Sequence, residues 1–480
     1  MFNRQWKAPI YKALGDYQSI SPLRLHMPGH AGGLGFEMEE FRLIGNYDVT
    51  EVPGLDDLHM SQEVIEEARS LLAKAYGAKE SLFLVNGASS GIHALFLSFN
   101  PDDEVLVPRN AHRSFYSAMV LSGIRPIYIP VEYQPELDVA LGVTEKQVDI
   151  LLAEDQQVKA VFVTSPSYFG TTGPIEAIAR KVHQKGIQLL VDEAHGAHFA
   201  FHDAYPTPAL HDGADAVVNG MHKTLPVLNQ GAALHVAENF HDFARLRSAY
   251  SLLTTTSPSY PILASIDLAR AYMVEKGKSR LETANQLAKQ YREKINSLPG
   301  LRCYGDELTR FEEVTGYDPL KIIVSFPGLT ISGWEVARKL REQYDIQVEM
   351  AQEKFILAMM SMFHEQPHWE RFYQALKNIT PVYQGRNEKE GIAKVPVKPT
   401  VLMTPRDAFI APKRQIPLKE SSGCIAGESV AVYPPGIPVL LPGELITPEI
   451  LDYLFYIRNR KLHIQGPQES SLNSILIIDD

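Results

Sequence analysis

Short apolar runs and amphipathic stretches alternate along the first half of the chain. The run "SLFLV" ends in "NGASSG" and leads into "IHALFLSF". "EVLVP", "PIYIP", "AVFVTSP", "IQLLVD" and "ADAVVNG" are further apolar runs of strand length. Brief apolar runs bounded by turn residues predict strands buried on both faces. Between them lie helical patterns, "HRSFYSAMVLSG" and the stretch from Ile175 to Lys185. Upstream, "EVIEEARSLLAKAYGA" places Val64, Ala68, Leu71, Leu72 and Ala75 on one helical face. The alternation predicts an α/β fold with a mostly parallel sheet covered on both faces. Ligands of such sheets bind at the carboxyl ends of the strands. "NGASSG", "SPSYFG", "DEAHGAH" and "NGMHK" each follow a predicted strand. They are therefore expected to converge on one crevice.

The flanking regions read differently. The chain up to about Asp48 is rich in Gly, Pro and His, as in "LHMPGHAGGLGF", and is expected to be an extended arm. From about Pro261 a long helical pattern begins, followed by a smaller α+β region through "KIIVSFPG", "SGWEVARKLREQY" and "IQVEM". The stretch from Lys394 to Pro417 is rich in proline and marks a boundary or an irregular segment. The expected organisation is an arm over 1–60, a large ligand-binding domain over 61–260, a linker helix with a small domain over 261–393, and a C-terminal domain over 394–480. No internal repeat is evident.

Composition narrows the function classes. The chain has 480 residues, 45% of them hydrophobic and 21% charged, which is ample for a large core. A net charge of −11 argues against nucleic acid as a partner. Two cysteines, Cys303 and Cys424, form neither a disulfide framework nor a metal-ligand spacing. No run reaches the roughly 18 apolar residues of a membrane span, and "MFNRQWKAPIYKAL" has no apolar signal core. A cytoplasmic location is expected.

Two short motifs invite readings that their surroundings oppose. "VDEAHGAH" matches a helicase box, but that chemistry needs a G-x-x-x-x-G-K-[ST] loop. The Gly-Lys-Ser at Gly277–Ser279 has Tyr272 where the first glycine belongs. "HEQPH", His364–His368, matches H-E-x-x-H literally, yet Pro367 opposes an interior helical turn between the histidines. Asp192, His195, His198 and His202 lie close in sequence, but read better as pocket or core residues than as metal ligands. No metal site is expected.

Another combination is more informative. "NGASSG" lies between a strand and a helix, so backbone N–H groups and the Ser89 and Ser90 hydroxyls can make an anion cradle. Taken alone, the serines would be an ordinary helix cap. Asp192 ends a strand, His112 offers a flat ring in "PRNAHRS", and Lys223 follows a later strand in "VVNGMHKTLP". An anion cradle, a carboxylate, a flat side chain and a lysine are what pyridoxal phosphate needs. The lysine takes the aldehyde, the cradle the phosphate, the carboxylate the pyridine nitrogen, and the flat side chain a ring face.

With these residues in view, the chain resembles the bacterial Orn/Lys/Arg decarboxylases of the aspartate-aminotransferase-like fold, fold type I. The resemblance is carried by "HMPGH" (His26–His30), "DVTEVPGLDDLH" (Asp48–His59), "FLVNGASSG", "VPRNAHRS", "SPSYFG", "VDEAHGAH", "MHKTLP" and "YPPGIPVLLPGE", in order over nearly the whole chain. It implies that Lys223 links the cofactor, His222 sits on its phosphate side, and Asp192 meets the pyridine nitrogen. It places Ala194 on one ring face and His112 on the other, Ser89 and Ser90 at the phosphate, and His195 and Ser167 toward the substrate. The stretch "LHMSQEVI" lacks the proline and glycine usual after the family's "DDLH", and two positions at the phosphate site also depart from the family pattern. Ala88 stands where the family has serine or threonine, and Gly220 where it has serine three residues before the lysine. Each removes one hydroxyl from the phosphate site, and such a bond contributes about 1.5–3 kcal/mol.

The implied activity is loss of CO2 from a basic L-amino acid, arginine, lysine or ornithine, linked to polyamine synthesis. Glu428 and Glu444 are the candidate partners for the far cation of the substrate. The resemblance also implies the short form, without the response-regulator-like domain of larger members, and at least a homodimer. An aminotransferase or lyase of the same fold, or an inactive cofactor-binding paralogue, would share Lys223 and Asp192 and remains open at this level.

Overall fold

A computed structural model describes residues 4–131, 133–134, 136–137, 139–154, 157–385, 399–432, 437–460 and 462–479. The expected boundary at 394 and the "YPPG" of the C-terminal motif lie outside these residues. Strands and helices alternate as expected. Strand β1 (Glu80–Leu84) leads into helix α1 (Gly87–Leu97), and β2 (Glu104–Pro108) into α2 (Arg113–Ser122). Then come β3 (Arg125–Ile129), β4 (Val158–Thr164), β5 (Gln188–Asp192) and β6 (Ala216–Asn219). The one-turn helix α3 (Met221–Thr224) and strand β7 (Ala232–Val236) follow. The chain forms two compact units, residues 1–98 with 188–282, and residues 99–187 with 283–480.

In the first unit the strands pair in the order β1, β7, β6, β5. β5 and β6 are parallel, with Leu190 opposite Ala216 and Asp192 opposite Val218. β7 runs antiparallel to both β1 and β6. β6 and β7 are buried along their whole length, which is why their sequences are apolar without alternation. The helix Val64–Tyr76 buries Ile65, Ala68, Leu72, Ala73 and Tyr76. The apolar stripe is thus turned by about one residue from the expected one, because Ile65 and Tyr76 supply its ends.

The expected extended arm is partly helical. Pro9–Ser19 is a helix that buries Ile10 and Leu14, and Glu39–Tyr47 is another. The first helix is held in place by polar bonds as well. The Ile10 amide donates to Asp267 at 3.0 Å, and Arg270 donates to the carbonyls of Gln5 and Lys7. Asp267 and Arg270 are buried on the helix Tyr260–Tyr272 and pair with each other. The arm therefore docks on a polar anchor inside an apolar helix.

In the second unit β4, β2 and β3 form a parallel set in that order. A smaller antiparallel sheet follows, in the order Arg302–Cys303, Lys321–Ser325, Phe355–Met359, Met350–Ala351. Helix Gly333–Tyr344 accompanies it and begins with a capping box of Ser332 and Glu335. The C-terminal region packs helix Pro448–Asn459 against short strands around Val430, Leu440, Leu454, Ile457, Ile475 and Ile477.

Candidate active site

Lys223 sits on α3, just beyond the carboxyl end of β6. Its Nζ lies 3.2 Å from Nε2 of His195. His195 follows β5 by three residues and is buried. Because β5 and β6 are parallel neighbours, their trailing loops emerge on the same edge, and this brings the two side chains together. His222 is fixed from both ends: its amide and its Nδ1 meet the Gly231 carbonyl at 3.0 and 2.9 Å.

Asp192 is the last residue of β5 and is 6% exposed. Its Oδ1 accepts from the Ala194 amide at 3.1 Å. Among the described residues Oδ2 has no hydrogen-bond partner. One oxygen is spent on orienting the carboxylate and the other is open, as a partner for a protonated ring nitrogen must be. The hydroxyl of Thr224, beside Lys223, and Oδ1 of Asn219 are also buried without a partner among the described residues. Open hydrogen-bonding capacity of this kind fits a polar ligand.

Ser89 and Ser90 lie in the first turn of α1. Gly87 has φ of +76°, and its amide donates to the Gln230 carbonyl at 2.8 Å, so the loop after α3 is tied to the start of α1. The Ser90 hydroxyl donates back to the Gly87 carbonyl at 2.8 Å. The Ser89 hydroxyl has no partner among the described residues and is the better placed of the two for a phosphate. Gly220 has a steric reason. A Cβ there would stand 2.8 Å from the Ala194 carbonyl oxygen and 3.1 Å from Cδ of Lys223. The missing family serine is thus matched by close approach of Ala194 and the Lys223 stem. These residues fit pyridoxal phosphate: Lys223 for the aldehyde, Asp192 for the ring nitrogen, and the start of α1 for the phosphate.

Glu193 was not foreseen. It is buried beside Asp192, and its carboxyl accepts from the Ala209 amide at 2.7 Å and Asn219 Nδ2 at 3.0 Å. Burial, reinforced by Asp212 and Asp192, pushes its pKa from 4.5 up to about 8. Between these values the folded chain keeps a proton that the unfolded chain has lost, so stability falls as pH rises through that window. Glu193→Gln has no such proton. Its thermal stability is expected to decline less steeply than that of the wild type from about pH 5 to about pH 8.

His112, Ser167, Glu428 and Glu444 belong to the second unit. His112 is exposed and caps α2, its Nδ1 accepting from the Ser114 amide at 3.2 Å. The cap fixes the ring plane. Ser167 is buried in its own turn, with its hydroxyl 2.7 Å from that of Thr171 and accepting from the Phe169 amide.

The two glutamates assigned to the substrate cation are committed elsewhere. Glu428 accepts from the amides of Gln468 at 2.6 Å and Leu476 at 2.9 Å. Glu444 makes a bidentate pair with Arg109 at 2.5 and 2.8 Å and accepts from the Leu441 amide. The Arg109 and Glu444 side chains are 8% and 2% exposed. Both glutamates brace the C-terminal region, since a buried carboxylate must be satisfied locally. Glu444→Ala would strand the Arg109 guanidinium and is expected to cost about 3–5 kcal/mol of stability, read from denaturant midpoints.

His364 and His368 do not lie together on one helix, as the H-E-x-x-H reading requires. The helix begins at Gln366, Pro367 occupies its first turn, and His364 lies before it. Their Nδ1 atoms accept from the amides of Ser361 and Glu365. Among the described residues no group of three metal-ligating side chains forms, and no helix is long and apolar enough to cross a membrane.

Comparison with known proteins identifies the family and the fold. The model of the Orn/Lys/Arg decarboxylase major domain matches residues 8–367, and that of the C-terminal domain residues 389–469. The chain is 37% identical over 483 aligned residues to the arginine decarboxylase of Bacillus subtilis (strain 168), covering 99% of each chain. It shares its fold with a lysine decarboxylase of Francisella novicida, with a TM-score of 0.84 at 22% identity, over 98% of this chain and 81% of that one. A ureidoglycine–glyoxylate aminotransferase of Bacillus subtilis superposes more distantly, with a TM-score of 0.55 at 15% identity, over 72% of this chain and 90% of that one. The fold is the expected α/β, fold type I one. The chain belongs to the Orn/Lys/Arg decarboxylase family and is a decarboxylase of a basic amino acid.

Proposed function

We propose that this chain converts L-arginine to its amine and CO2 with pyridoxal 5′-phosphate linked through Lys223, as a cytoplasmic homodimer in polyamine supply. The observation that carries the chemistry is the Lys223–His195 contact of 3.2 Å, in the same unit as the half-open carboxylate of Asp192. When bound, pyridoxal phosphate supplies an electron sink for the pair left on Cα as the carboxyl group departs. Asp192 Oδ2 would hold the proton on the ring nitrogen. The start of α1, with Ser89 foremost, would anchor the phosphate. Lys223 would hold the aldehyde, and its contact with His195 at 3.2 Å would offer a path for the proton that returns to Cα. His112, with its ring set by the α2 cap, would lie on one face and Ala194 on the other.

Arginine is favoured over lysine by likeness: 37% identity to a Bacillus subtilis protein named arginine decarboxylase, against 24% to a Pseudomonas aeruginosa protein named lysine decarboxylase. The homodimer is supported by the arm, where Leu23, Leu25, Leu34, Met38, Phe41, Leu43 and Ile44 are all more than half exposed. Apolar surface of that density marks an interaction face. The test is kcat/KM for L-arginine, L-lysine and L-ornithine measured side by side with the cofactor-loaded protein. A clear preference for arginine is expected. A preference for lysine or ornithine would refute the substrate assignment and leave the reaction class standing.

A further inference from the structure

Helix α2 is gripped at both ends by the C-terminal region. At its carboxyl end, Arg406 donates from Nε to the Val120 carbonyl at 2.9 Å and from a terminal nitrogen to the Leu121 carbonyl. These carbonyls have no partner within the helix, and a guanidinium complements both them and the helix dipole. Gly123, at φ +76°, ends the helix, and a Cβ there would collide with the Arg406 guanidinium. At the other end, three residues before the His112 cap, Arg109 makes its buried bidentate pair with Glu444 and reaches the Val439 carbonyl at 3.2 Å. The Arg109 guanidinium also lies 4.9 Å over the Tyr128 ring.

The two grips belong to one piece of structure. Val401 forms a β-bridge with Glu444, the amides of Leu402 and Met403 donate to the Gly443 carbonyl, and Leu445 donates to Thr400. Arg406 follows within the helix Pro405–Ile410, itself capped by Thr404. Gly443, with φ of +91°, allows the close approach, since a Cβ there would stand 2.7 Å from the Met403 carbonyl oxygen. The α2 helix and its leading loop are thus held in a rigid bracket from a segment about three hundred residues away, with 335 positions separating Arg109 from Glu444.

We propose that the C-terminal region sets the position of His112, with Arg406 and the Arg109–Glu444 pair as positioning residues. This rests on the reading of His112 as the side chain that stacks on the cofactor ring. A stacking residue on an exposed helix cap needs its helix fixed along its axis, and a bracket at both ends does so.

Arg406→Ala tests this without stranding a buried charge. The folded protein is expected to keep its far-UV circular dichroism and nearly its melting temperature. It should lose kcat by about 10- to 100-fold, as small misplacements of reacting groups do, with KM little changed. The visible circular dichroism of the bound cofactor should change, and its dissociation constant should rise. Adding Arg406→Ala to His112→Ala should then cause little further loss, because the bracket would have nothing left to position. Full activity with an unchanged cofactor signal in Arg406→Ala would overturn the proposal, as would an equal loss in both backgrounds. If His112→Ala alone alters neither the cofactor signal nor kcat, the reading of His112 falls and the proposal with it. Should Arg406→Ala fail to fold, Arg406→Lys, which keeps a cation but only a single donor group at the helix end, is read in the same way.

Discussion

Lys223→Ala is expected to release no CO2 from any basic amino acid and to lack the visible absorption of lysine-linked cofactor. On the proposed reading Lys223 has two roles that no neighbour can assume. It is the primary amine on α3, and the contact with His195 at 3.2 Å needs its Nζ. His195 has no nucleophilic amine to offer. Asp192 is oriented away from such a role by the Ala194 amide. Gly220 leaves room for the Lys223 stem but contributes no group of its own. The fold should survive, because Lys223 is only half-buried and the helix it occupies is closed by backbone bonds to Gly220 and Gly231. Retained visible absorption in Lys223→Ala would show that another amine makes the link.

Asp192→Asn is expected to lower kcat by about 10²–10³-fold, the scale seen when one preorganised electrostatic partner is lost. The geometry makes this substitution harsher than its similar shape suggests. The Ala194 amide donates to Oδ1, so the amide in Asp192→Asn will turn its oxygen to Ala194 and its nitrogen to the cofactor. A donor then faces the ring where an acceptor with a negative charge is needed. Cofactor content should fall less than kcat, because on the proposed reading Lys223 and the start of α1 would still hold the other two ends. The comparison of kcat with bound cofactor per chain separates the two effects. Equal losses in both would make Asp192 a binding residue without a role in turnover.

Much of the fold was legible because its strands are buried on both faces and therefore apolar from end to end. The strand-to-helix alternation from Ser81 onward needed no more than that. The arm was not legible as helix, since the buried positions of Pro9–Ser19 are so few and its anchor, Asp267 with Arg270, lies more than 250 positions away. At the candidate site, the places of Asp192 and Lys223 at strand ends were legible, whereas the contact between Lys223 and His195 depends on β5 and β6 being neighbours. Glu428 and Glu444 show the opposite failure. A carboxylate in sequence does not reveal whether a buried arginine or a pair of amides has already claimed it. Glu193, similarly, looks like one more acid in "VDEAHGAH" until its burial against Ala209 and Asn219 is seen.

The most direct measurement is release of labelled CO2 from carboxyl-labelled L-arginine, L-lysine and L-ornithine by the cofactor-loaded protein, with amine and keto-acid products assayed in parallel. Labelled CO2 with a matching amount of amine, greatest from arginine and absent with Lys223→Ala, is the expected result. Bound cofactor that yields keto acid and no CO2 from any of the three would contradict the decarboxylase assignment.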